Sequence, residues 1–248
     1  MQYPKVESLF ATDDQYMIGS DLLAKPVTSP GSTEVTVSFP AADCWYDART
    51  LERAVPSSST TSSAEEVATS LAVPTPIDVG IPLYQRGGSV IPRRLRLRRS
   101  SALMASDPYT LYVALTDGDG GRNAAGELYM DDETTFDHER RGRYAVARFS
   151  ANLERGRGGA GYVRNVVELG YGWASGGDPG DDEVGKREVE RIVVMGVETP
   201  PEGIVLAGSD GGGSSTDLEF EHDAKSRVLV IRKPGVSALR DWEMRLVL

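Results

Sequence analysis

Apolar and polar residues alternate along most of this chain in short runs, broken by glycine, proline, serine and aspartate. VTVSF at 35–39, YTLYVAL at 109–115, GELYM at 126–130 and YAVARF at 144–149 carry the pattern. EVERIVVM at 188–195 alternates over its first half and then turns continuously apolar. LEFE at 218–221, VLVIR at 228–232 and WEMRLVL at 242–248 complete the series. A period of two places successive side chains on opposite faces of a strand. Many short strands with turn residues between them are the pattern of a β-sandwich. Helical periodicity is confined to one or two turns within 13–23. The expected fold class is all-β.

Four stretches interrupt the alternation. SSSTTSS at 57–63 is polar and of low complexity; too poor in apolar surface to order itself, it is expected to be a disordered surface insertion over about 56–70. DGDGG at 117–121, the glycine- and aspartate-rich 170–185 and SDGGGSS at 209–215 are expected loops. A shift in composition near 100–107 marks a boundary between two β units.

Charge narrows the function classes. Lys and Arg number 27 against 37 Asp and Glu, a net charge of −10. General nucleic-acid binders are basic, so this balance speaks against that class and against an anionic membrane surface. No apolar run approaches the roughly 20 residues of a membrane span. MQYPKVESLF at 1–10 lacks the charged and apolar regions of a signal peptide, and RLVL at 245–248 is no KDEL-type signal. Cys44 is the one cysteine, and His138 and His222 are the only histidines, so a histidine-rich metal site is excluded.

Candidate chemistry is sparse. Asp131, Asp132 and Glu133, with Asp137 nearby, lack the alternate-ligand spacing of a calcium loop; DGDGG at 117–121 comes closer to that pattern but has no closing Glu and reads as a loop. The first set reads as an acidic turn after a strand. Asp43-Cys44-Trp45-Tyr46-Asp47 contains a W-x-D, but no second carboxylate is placed to work with it. Cys44 has no local signature that pairs it with His138 or His222. Asp13 and Asp14 are not assigned as substrate contacts, since helix capping explains them equally well. IPLYQRGGSVIPRR at 81–94 has no lysine after its paired glycines, so it is no phosphate loop. It reads as a strand, a glycine bend and a second strand stopped by Pro92, with Arg86 paired to a carboxylate. Arg94, Arg96 and Arg98 alternate with leucines as one face of a strand and are expected to pair with the surplus acids. No catalytic, cofactor-binding or metal-ligating residue is assigned.

The order of motifs says more. DQYMIG at 14–19, LLAKPV at 22–27, CWYD at 44–47, IPLYQRGGSVIP at 81–92 and GELYMDD at 126–132 together resemble the C-terminal part of glycoside hydrolase family 31. RRSS at 98–101, DPYTL at 107–111, RFS at 148–150, RIVV at 191–194 and VIRKPG at 230–235 resemble, within that family, the α-glucosidases of glucosidase II α-subunit type. The resemblance implies a remnant of a (β/α)8 barrel exit at 1–20, a proximal C-terminal β-sandwich at 21–103 and a distal one at 104–248. It implies retaining hydrolysis of α-linked glucose on N-glycans in the endoplasmic reticulum lumen. That mechanism needs a pair of carboxyl groups about 5 Å apart. The family's W-x-D-M-N-E nucleophile motif is absent here, so the chain is expected to be inactive alone. It would support a barrel on a separate N-terminal piece, with a glucosidase II β subunit as a further partner and with no cofactor. The alternative is a free-standing carbohydrate-binding or structural β-sandwich module, for which exposed aromatic residues on a flat sheet face would be the sign.

Overall fold

The computed structural model describes residues 3–55, 68–117, 121–154, 159–174, 187–207 and 215–248. Within them the chain is nearly all strand. A first unit holds β1 (Tyr16–Ile18), β2 (Leu22–Ala24), β3 (Glu34–Pro40), β4 (Trp45–Asp47), β5 (Arg53–Val55), β6 (Ala68–Pro74) and β7 (Leu83–Arg86). Five of these form an antiparallel sheet in the order β1-β2-β7-β4-β5, and β3 pairs with β6 as a separate two-stranded ribbon. Leu23, Val37, Phe39, Trp45 and Tyr84 form the core between the two layers. The Phe39 and Tyr84 rings meet edge to face at 4.8 Å, a favoured aromatic geometry.

The second unit begins with β8 (Ser89–Arg93) and β9 (Tyr109–Ala114), then β10 (Arg122–Met130), helix α1 (Asp137–Arg141), β11 (Ala145–Leu153), β12 (Ala160–Leu169) and the short helix α2 (Tyr171–Ala174). It closes with β13 (Glu188–Met195), β14 (Gly203–Ala207), β15 (Ser215–Asp217), β16 (Phe220–Asp223), β17 (Val228–Ser237) and β18 (Trp242–Val247). One face of the sandwich runs β15-β14-β18-β12-β11-β10 and the other β8-β9-β13-β17-β16. A single bridge, Ala125 opposite Ser89, joins them. Gly126 permits it, because a methyl there would lie 2.0 Å from the Val90 carbonyl oxygen. Leu111, Val113, Ile192, Val194, Leu229 and Ile231 face Ala147, Phe149, Val163, Met244 and Leu246 across the core.

The patterns explain the strands. β11 alternates between buried and more open positions along its whole length, as its sequence requires. β13 loses alternation after Arg191 because it is covered on both sides. Ile192 and Val194 point into the sandwich core, while Val193 and Met195 pack against Cys44 and Tyr46 of the first unit. β13 runs parallel to β9, and continuous apolar runs mark parallel strands buried on both faces.

Several expectations are corrected. Where one or two helical turns were expected within 13–23, residues 16–24 form the β1–β2 hairpin, turned at Gly19 with φ 63°. Pro92 does not stop its strand: β8 continues to Arg93, and Pro92 pairs with Leu111. Beyond Ser89, β8 has β9 alone as neighbour, and an edge strand tolerates a residue with no N–H. β8 pairs with β9 although it precedes the 103/104 boundary drawn from sequence. Residues 68–70, inside the expected insertion, belong to β6. The run SSSTTSS and most of the three glycine-rich stretches lie outside the described residues.

Candidate functional site

The sequence IPLYQRGGSVIPRR makes the join between the two units. The chain leaves the first sheet at Arg86 and enters the second at Ser89. Gly87 N–H donates to the Cys44 carbonyl at 2.8 Å, and Gly88 N–H donates to the Ala114 carbonyl at 2.7 Å. Gly88 has φ 91°, a left-handed conformation that favours glycine. At Gly87 the constraint is space, since a methyl would lie 2.1 Å from Cys44 Sγ. Gln85 is fully buried and donates from Nε2 to Ser89 Oγ at 3.1 Å and to the Tyr112 carbonyl at 3.0 Å. Arg86 pairs with Asp21 at 3.1 Å and lies 3.9 Å from Asp43, which the bend was expected to require. Tyr3 Oη donates to the same Asp43 at 3.1 Å.

Beside this bend the Leu115 carbonyl receives two donors from the first unit, Tyr46 Oη at 2.8 Å and Cys44 Sγ at 3.4 Å. Burial first, and the charge of Asp117 second, push the Cys44 thiol up to about 11. It is a neutral packing group at physiological pH, not a nucleophile. Arg53 answers Asp117 at 2.5 Å. Arg122, nearly buried, donates to the Gly196 carbonyl at 2.5 Å and pairs with Glu198. No local sequence pattern foretells these contacts, because each joins positions far apart in the chain.

The remaining candidates take structural places. Asp132 caps a turn: Thr135 Oγ1, Thr135 N–H and Thr134 N–H all donate to it. These bonds, the hydroxyl foremost, hold its carboxyl down to about 2. Asp131 accepts from Glu133 N–H at 2.8 Å, and Glu133 lies between Arg94 at 3.0 Å and Arg187 at 3.3 Å. Asp137 lies 3.5 Å from Arg141. Asp47 accepts the N–H groups of Arg49 and Thr50. Asp14 pairs with the buried Lys25 at 2.5 Å, so it caps no helix. His138 lies 3.8 Å from Asp131, and His222 Nε2 contacts the Val197 carbonyl at 2.9 Å. Among the described residues no group of three or more His, Cys, Asp or Glu could hold a metal. Trp45 and Trp242 are buried in the two cores.

The R-L-R-L-R run departs from expectation in part. Its arginines do find acids: Arg94 binds Glu133, Arg96 binds Glu190 at 3.2 Å and Arg98 binds Asp107 at 2.7 Å. Residues 94–98 are not a strand, and the leucines form no buried face, since Leu97 is 100% exposed. The ion pairs, rather than a leucine stripe, fix this segment.

The described residues thus form two β units joined through a glycine bend, with the acids singled out above held in turns and ion pairs. Residues 1–91 match the glycosyl hydrolase family 31 C-terminal domain. Over 99% of its length the chain is similar to neutral α-glucosidase AB of Mus musculus, at 34% identity. The alignment covers 23% of that relative, so the chain spans about a quarter of the proteins it matches. Among solved structures, the glucosidase II α subunit bound to Glc1Man2 superimposes with a TM-score of 0.72 at 30% identity, covering 94% of this chain and 24% of that one. An ER glucosidase II heterodimer of the catalytic subunit and the binding domain of the regulatory subunit gives a TM-score of 0.70 at 30% identity, with 94% of this chain and 23% of that chain covered. No helix among the described residues is long and apolar enough to cross a membrane.

Proposed function

We propose that this chain is the non-catalytic β-sandwich region of a glucosidase II-like α-glucosidase, a retaining enzyme that trims α-linked glucose from N-glycans in the endoplasmic reticulum lumen. Similarity over 99% of the chain to a neutral α-glucosidase carries the reading. The barrel and its carboxylate pair lie on a separate N-terminal piece, and a regulatory β subunit is a second partner. The chain's role is mechanical. A rigid β layer packed on a barrel holds the frame that positions catalytic loops, and such positioning within about 0.5 Å is what a preorganised site needs. The described carboxylates support this assignment. Asp132 and Asp47 cap turns, and Asp14, Asp21, Asp107, Asp117 and Glu133 each face a basic side chain. No residue of this chain supplies the nucleophile or the acid.

Reconstitution tests the reading. The chain, a barrel-bearing piece of the same enzyme and the two together are assayed for glucose release from an α-glucoside. Activity is expected only from the mixture. Activity of the chain alone would end the non-catalytic assignment, and a mixture no more active than the barrel piece would end the supporting role.

A further inference from the structure

The outer face of the β8–β9–β13–β17 sheet carries a row of basic residues with too few acids to match. Arg93 lies opposite Thr110, Thr110 opposite Arg191, and Arg191 opposite Arg232. Residues directly opposite on neighbouring strands share a face. Their neighbours Leu111, Ile192 and Ile231 point into the sandwich core, so the row faces outward. It lies one step beyond Tyr112, Val193 and Val230, at the end of the face that the first unit covers.

Three guanidinium groups thus line up across one sheet in a chain of net charge −10. Like charges placed opposite one another are destabilising. Arg232 has a partner in Glu221 at 2.8 Å. Arg93 has none: its guanidinium lies 4.4 Å over the Tyr112 ring, and Nη2 is buried with no hydrogen-bond partner. Beneath it Thr110 is fully buried with Oγ1 unpartnered. Among the described residues no carboxylate reaches ion-pair distance of Arg93 or Arg191. The nearby acids are engaged elsewhere, Glu190 with Arg96, Glu133 with Arg94, and Asp107 with Arg98.

The unpaired positive charge of Arg93 and Arg191 is therefore the feature to explain, and a carboxylate answers it, because it takes two bonds from a guanidinium fork. Spacing adds a constraint. Arg93 and Arg191 are two strands apart, about 9.6 Å at ordinary strand separation. A polyproline II segment advances about 9.3 Å per turn of three residues, with residues i and i+3 on one side. We propose that this row is a docking site for an extended acidic segment of a partner polypeptide, with carboxylates three residues apart received by Arg93 and Arg191. The overall negative charge disfavours a denser polyanion such as a nucleic acid.

The test is a calorimetric titration of the full chain with the peptide (Glu-Pro-Pro)3, with (Lys-Pro-Pro)3 and inorganic phosphate as comparison ligands. The acidic peptide is expected to bind, to weaken as salt rises, and to bind at least about tenfold more weakly to the variant Arg93→Gln/Arg191→Gln. Arg245→Gln, which removes the partner of Glu243 on another strand, is expected to leave binding unchanged. Because Arg93 has no acid to lose, the double variant is expected to melt no lower than the parent. If it fails to fold, Arg191→Gln alone gives the same readout, with about a threefold loss expected. Absence of acidic-peptide binding, equal binding of the basic peptide, or unchanged affinity in the folded variant would overturn the proposal. So would binding of phosphate alone at these arginines, which would make the row a small-anion site.

Discussion

Arg98 grips Asp107 at two points, with Nε 3.0 Å from Oδ2 and Nη2 2.7 Å from Oδ1. Asp107 is nearly buried while Arg98 is partly in solvent. This fork ties the irregular segment 94–99 to the entry of β9, just ahead of Pro108. A bidentate guanidinium–carboxylate pair adds geometric definition to charge attraction.

Asp107→Asn is expected to loosen that entry and lower the melting temperature at pH 7. The Arg98 hydrogen bond holds the Asp107 carboxyl below its ordinary 3.8. A depressed carboxyl stabilises the fold above its unfolded pKa, and the contribution disappears as pH falls through the folded value. The melting difference between parent and variant should therefore close on the acid side of 3.8. Thermal melts stepped from pH 7 down through 3.8 would show it, and a difference that does not narrow as the carboxyl protonates would refute the charge account.

The Asp132 turn should open in a defined acid window. Its carboxyl lies at about 2 against an ordinary 3.8, so the three bonds from Thr134 and Thr135 are at full strength above 3.8 and fail as pH approaches 2. Amide exchange at Thr134 and Thr135 is the measurement. Loss of protection already at pH 5 would contradict the assignment.

Tyr46→Phe removes the 2.8 Å bond to the Leu115 carbonyl across the junction. A lost hydrogen bond of this kind costs about 1 kcal/mol. Cys44 Sγ still reaches the same oxygen at 3.4 Å, so the carbonyl is not left bare. Urea unfolding should report a loss of about that size with an unchanged m-value, and a neutral outcome would mean that the bond contributes nothing to the junction.

Gly87→Ala drives a methyl into Cys44 Sγ. Overpacking of this kind costs about 1–3 kcal/mol. Trimming the sulfur with Cys44→Ala should recover part of that cost, because neighbouring sites couple. Full recovery is not expected, since the Leu115 carbonyl oxygen would still lie 3.0 Å from the added methyl. Additive losses in the double variant would show that the sulfur is not the obstacle.

Much of the architecture was legible in the sequence where burial is one-sided. β3, β9, β11, β17 and β18 advertise themselves by alternation, and Arg86 finds acids where the bend was read. β12 escaped because two of its inward positions are not apolar. Gly161 is buried there, and so is Asn165, which bonds the Ala238 and Arg240 carbonyls. The β1–β2 hairpin was taken for helix although Gly19, a turn signal, stands in its middle. The leucines of 94–98 keep strand spacing, yet tertiary ion pairs decide their course. The bend of the junction was readable but the contacts across it were not: Tyr46 and Leu115 are 69 residues apart, and nothing local marks either as the other's partner.

The parallel pairing of β9 with β13 sets an order of assembly. β9 is complete at Ala114, but its partner begins only at Glu188. Joining such distant segments costs loop-closure entropy before any contact repays it, which slows folding. The face that receives Cys44 and Tyr46 includes Val193, Met195 and Val228. The first unit therefore has no finished surface to rest on until the last third of the chain is made, and a ribosome-bound intermediate would hold Tyr46 and Cys44 against Ala114 and Leu115 alone.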